Sequence, residues 1–148
     1  MIKNRFDLKV FTIITLITSI WIHASEVFRY FLLVMPRVKN YWNHLDTVAD
    51  MNWTIFGIWG VWDTILCAMV VFFFWLYAQV FGNNIRSVGV SALLSWGFFF
   101  VLYWMGVANM GYSDWSILWI TLPLSLLELV VACLIASRLY KKFEHESI

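Results

Sequence analysis

His23, Glu26, Arg29, Asp63 and Glu128 lie inside long apolar stretches of the chain. An ionisable side chain at bilayer depth costs about 2.5–3.5 kcal/mol on insertion scales, so such residues face a bundle interior or a wet cavity. Carboxylates beside an imidazole can hold a cation, pass protons, or serve as acid and base toward a lipid-soluble molecule. The helices that must bring these five residues together therefore decide what the chain can do.

The composition supplies those helices. Of 148 residues, 62% are hydrophobic and 13% charged, whereas soluble domains run about 45–50% apolar and about 25% charged. The chain reads as one integral membrane domain over 1–148. Four apolar stretches, at about 8–35, 53–80, 88–109 and 116–140, reach the roughly 20 residues that a helical span needs. Runs such as Val70-Val71-Phe72-Phe73-Phe74 lack the alternation of a membrane strand. The expected fold is all-α, a four-helix bundle running up-down-up-down, because the connections between spans two, three and four are short.

Orientation follows the basic residues, which stay on the cytoplasmic side of short loops. Lys3, Arg5, Lys9, Arg86, Arg138, Lys141 and Lys142 fall on one side, Arg37 and Lys39 on the other, with Arg29 assigned to a helix end. Both termini are expected in the cytoplasm, in a multi-pass protein of a bacterial inner membrane. The first span, although preceded by basic residues like a secretory signal, is expected to be permanent because the apolar pattern continues from Glu26 to Met35. The stretch from Pro36 to Asn52, with Tyr41, Trp42, His44, Asp46 and Asp50, reads as the long outer loop and a connector at headgroup level.

On a helical wheel Thr12, Thr15, Ser19, His23, Glu26 and Tyr30 fall within about an 80° sector, with Thr18 and Ser25 outside it. The stripe is expected to face the interior. Asp63 shares a side of the second span with Trp59, Gly60 and Cys67, and Glu128 shares one of the fourth with Thr121, Ser125 and Ala132. At 1.5 Å per residue, His23, Glu26, Asp63 and Glu128 all lie about 14–18 Å below the outer helix ends. Arg29 is expected a turn or more above them, with Tyr103 at the upper edge and Trp59 in the wall. Ser87, Ser91 and Ser95, four residues apart, read as a close-packing face. Cys67 and Cys133 read as small buried hydrophobes.

Three classes of function follow. The first is a binding or transport module for a small polar, amphipathic or cationic ligand or ion, coupled to protons through His23, Glu26, Asp63 and Glu128, with Arg29, Tyr103 and Trp59 at its edge. The second is an enzyme using its carboxylates as acid and base. The third is an accessory subunit, alone as a homo-oligomer or beside another membrane protein. The formal charge of +1 gives no reason to expect nucleic acid. No motif for a cofactor is present, and a lone His23-x-x-Glu26 falls short of the paired motifs of di-iron bundles, so neither cofactor nor metal is expected.

With His23 and Glu26 on the first span, Asp63 on the second, a long outer loop and the turn Val34-Met35-Pro36-Arg37, the layout resembles the EXPERA family of sterol isomerases and sigma-2-type ligand-binding proteins. That resemblance implies a four-span fold and an acid/base or ligand-binding role for His23, Glu26 and Asp63. The third span departs from the family pattern in lacking an acid, and the fourth carries Glu128 instead.

Overall fold

A computed structural model describes residues 6–43 and 51–146, the side chains of 144–146 excepted. Among the described residues it is all helical. Four helices are long and apolar enough to cross a membrane: α1, Leu8–Tyr41; α2, Trp53–Phe81; α3, Ile85–Asn109; and α4, Trp115–Glu146. His44, Asp46 and Asp50 of the expected outer loop, Lys3 and Arg5, and the side chains of Glu144, His145 and Glu146 lie outside the described residues.

Each helix begins at an Asp or Asn whose side chain accepts a backbone N–H of the first turn, the arrangement that satisfies donors left free at a helix start. Asp7 accepts from Val10 (3.1 Å), Asn52 from Ile55 (3.0 Å), Asn84 from Ser87 (3.1 Å) and Asp114 from Ser116 (2.7 Å). The two short connections turn at Gly82 and Gly111, with φ of 83° and 75°, a region that penalises any side chain with a Cβ.

Two expectations need correction at α1. The helix does not end near residue 35 but continues to Tyr41, so Arg29 is an interior position of the helix and Val34-Met35-Pro36-Arg37 is helical. The chain passes Pro36 by way of a wide π turn over Tyr30–Val34. Proline lacks an N–H and its ring collides with the carbonyl four residues earlier; widening the preceding turn moves that carbonyl aside. The C-terminal end of α1 is tied down by Tyr41, whose hydroxyl donates to the Gly111 carbonyl at 3.0 Å. A second π turn, Gly97–Val101, interrupts α3.

In the bundle α1 packs on α2 and α4, α3 packs on the same two helices, and α2 and α4 also touch. The core between them contains Ile14, Ile22, Cys67, Val70, Val71, Phe74, Ala92, Leu129, Ala132, Cys133 and Ala136. Ala92, Ala132 and Ala136 let backbones come close, which is how helices cohere when lipid offers side chains as apolar an environment as the interior.

Candidate functional site

The buried face of α1 is not centred on the expected polar stripe. Ile14, Thr15, Thr18, Ser19, Ile22 and Arg29 are buried, Ser25, Glu26 and His23 are half-buried, and Thr12 is exposed with its hydroxyl bonded to the Leu8 carbonyl. The interior arc therefore runs through Thr18, Ile22, Ser25 and Arg29, and the stripe forms its edge along α2. Both Thr18 and Ser25, set outside the stripe by the wheel, face inward or nearly so.

Arg29 anchors the site. A Cα–Cβ bond in a helix tilts toward the N-terminus, so its guanidinium reaches back down the helix instead of standing a turn above the acids. There Nη2 pairs with Glu26 Oε1 and lies 3.9 Å from Glu128 Oε2. Phe100, carried on the π turn of α3, places its ring centroid 5.1 Å from Arg29 Cζ, within cation–π range. Two π turns thus border this one residue: α1 widens just after it, and α3 widens where its ring partner sits.

Glu128 is 1% exposed and tied to α1 at two further points. Ser25 Oγ donates to its Oε2 at 2.6 Å, and Trp21 Nε1 donates to its backbone carbonyl at 3.0 Å. His23 clamps α1 to α2: Nδ1 lies 2.6 Å from the Ser19 carbonyl and Nε2 3.0 Å from the Gly60 carbonyl. A neutral imidazole can donate through only one nitrogen, whereas the doubly protonated ring satisfies both oxygens.

Asp63 differs from the other two acids. It is 8% exposed and within electrostatic reach of Glu26, His23 and Arg29, yet among the described residues its carboxylate has neither a hydrogen bond nor an ion pair. Three carboxylates face one guanidinium that two of them already share.

His23, Glu26, Arg29, Asp63 and Glu128 thus occupy one layer drawn from α1, α2 and α4. Trp59 and Tyr103 stand elsewhere, 46% and 53% exposed on the outside of the bundle. Sequence reasoning passed over Ser25, Trp21 and Phe100, which hold the charged groups in place. Among the described residues no three His, Cys, Asp or Glu side chains come together as metal ligands would. An open apolar groove of about 330 Å³, walled by Phe73, Tyr77, Phe81, Leu94 and Phe98, and a polar one of about 190 Å³, walled by Arg37, Asn40, Tyr41, Asp114 and Ser116, both lie away from the acids.

Compared with models of protein families, with curated proteins and with solved structures, the chain gives no match.

Proposed function

We propose that this membrane protein binds a small monovalent cation, either an ion or a compact amine, at the Asp63 edge of the buried charged layer. The observation that carries the reading is Asp63, a buried residue whose carboxylate has neither a hydrogen bond nor an ion pair among the described residues. A buried anion requires a counter-charge, and Arg29 is already engaged by Glu26 and Glu128. Glu26, 21% exposed along its side chain, offers a second oxygen donor on the same edge. Together with His23 it supplies groups through which binding couples to protons. Nothing in this arrangement favours the enzyme reading, since neither groove ends at the acids.

The accompanying topology is up-down-up-down with both termini in the cytoplasm. Support comes from the α1–α2 contacts, in which Cys67 approaches the Thr15 carbonyl while Gly60 accepts from His23, an order that reverses along the two helices. The basic residues at the Arg86 and Lys141 end set the orientation.

Titration of the detergent-solubilised protein with Na⁺ and with benzyltrimethylammonium, read by thermal shift, tests the proposal. Saturable stabilisation by at least one of them is expected for the parent protein and should be lost in Asp63→Asn with helicity unchanged. Saturation that persists in Asp63→Asn, or none with either cation, overturns it.

A further inference from the structure

We propose that the polar groove between the last turns of α1 and the start of α4 seats the headgroup of a zwitterionic phospholipid with a primary amine, its phosphate on Arg37 and its ammonium on Asp114. Length and polarity place this groove among the headgroups. α1 runs 34 residues from Leu8 to Tyr41, about 50 Å at 1.5 Å per residue, against about 30 Å of hydrocarbon. Its sequence is apolar from Tyr30 to Met35 and turns polar at Arg37, Lys39 and Asn40, while α4 turns apolar at Trp115, directly after Asp114. The Tyr41 hydroxyl on the Gly111 carbonyl holds these two changes of polarity at one level. Trp42 and Tyr112 stand there with ring centroids 6.3 Å apart, and Trp115 is exposed beside them in sequence; Trp and Tyr gather at membrane boundaries.

The groove measures about 190 Å³, below the roughly 300 Å³ at which pockets begin to enclose whole ligands. It suits a headgroup whose acyl chains stay in the bilayer. Arg37 and Asp114 both line it, yet they form no ion pair with each other. Arg37 Nη1 donates to the Leu33 carbonyl at 2.6 Å, and a guanidinium carries five N–H donors in all. Asp114 accepts the Ser116 N–H through Oδ1, and a carboxylate has a second oxygen to offer. The hydrogen bonds from Ser116 also keep that carboxyl below the usual aspartate range, so it is charged at neutral pH.

A ligand that matches both walls carries an anion and a cation a few bonds apart. An acidic headgroup would meet Arg37 and leave Asp114 opposed. A choline headgroup lacks the N–H that a carboxylate accepts, and its recognition depends on a cage of aromatic faces, of which this groove has Tyr41 alone. An ethanolamine headgroup satisfies both ends, with Asn40 and Ser116 as neutral donors along the wall. The site lies apart from the charged layer and stands whether or not Asp63 binds a cation.

Native mass spectrometry of the detergent-solubilised protein, titrated with phosphatidylethanolamine and phosphatidylcholine of identical acyl chains, tests it. The parent should retain the ethanolamine lipid about two- to fivefold better, the ratio that one solvated ion pair supports. Asp114→Asn, which keeps the helix cap, should bring the two lipids level, and Arg37→Gln should lower retention of both. Free phosphoethanolamine at the lipid's concentration should displace neither. Equal retention of the two lipids by the parent overturns the proposal, as does a preference that survives in Asp114→Asn or retention unchanged in Arg37→Gln. Displacement by free phosphoethanolamine would overturn it in favour of a water-soluble ligand.

Discussion

The layer around Arg29 and the apolar half around Cys67, Val70, Phe74, Cys133 and Ala136 join the same helices by different means. In the apolar half, apart from the Cys67 thiol on the Thr15 carbonyl and the Asn83–Ser137 pairing at its end, the core side chains are ones that lipid would solvate equally well, so cohesion there depends on shape and close approach. In the charged layer the helices are joined by the Arg29–Glu128 ion pair, a hydroxyl, an indole and an imidazole, each satisfied only when a neighbouring helix is in place. The apolar half should yield gradually to changes of volume. The charged layer should fail abruptly when one member is removed, because the others then remain buried without a counter-charge.

The largest effect should follow from Arg29→Ala. Removing one partner of a buried ion pair costs about 3–5 kcal/mol, mostly through the charge left behind, and here Glu26 and Glu128 are both stranded. Denaturation in mixed detergent micelles should show that loss. Replacing Arg29, Glu26 and Glu128 together by Leu should recover most of it, since apolar substitution of all members of a buried ion-paired triad is often neutral. A cost for Arg29→Ala below about 1 kcal/mol, the worth of a solvated surface pair, would break the comparison.

Next in size is Ala136→Leu. Ala136 is 0% exposed within the core, and forcing extra methylenes into a packed site costs about 1–3 kcal/mol. The same unfolding assay applied to Leu127→Ala, at a position 59% exposed, should show almost nothing. Equal sensitivity at the two positions would mean that close packing does not hold the apolar half.

The sequence makes much of the frame legible and less of the way its charges are held. Four spans follow from length and hydropathy alone, and the side of α4 that carries Thr121, Ser125, Glu128 and Ala132 is readable because small and polar residues repeat there at bundle spacing. On α1 the same logic chose the wrong centre. Apolar residues face lipid as readily as they face protein, so Ile14 and Ile22 gave no hint that they were interior. The more informative signal was the four-three-four spacing of Thr18, Ile22, Ser25 and Arg29, the repeat of a packed helical seam. The position of the Arg29 guanidinium was also open to derivation, since the backward tilt of Cβ applies to every helix. The π turn before Pro36 was not, because proline more often ends or kinks a helix than widens one. Nor could the wheel find Phe100, which meets Arg29 across the bundle.

The smallest effect should be found outside the membrane-spanning segments, at Asp114, and it carries its own sign. Its Oδ1 accepts from the Ser116 N–H at the start of α4, and the hydrogen bonds from Ser116 hold its carboxyl below the usual aspartate range. A group whose folded-state pKa is depressed contributes stability above its unfolded value and loses that contribution as pH falls through the folded one. Acidification through and below the ordinary aspartate range should therefore weaken the start of α4, and Asp114→Ala should reproduce that loss at neutral pH as a Tm drop of a few degrees at most. Asp114→Asn separates capping from charge, because asparagine caps a helix about as well as aspartate and does not titrate. Its Tm should stay near that of the parent at neutral pH and lack the parent's added acid sensitivity. An Asp114→Asn variant as acid-sensitive as the parent would move that sensitivity elsewhere, to the charged layer itself.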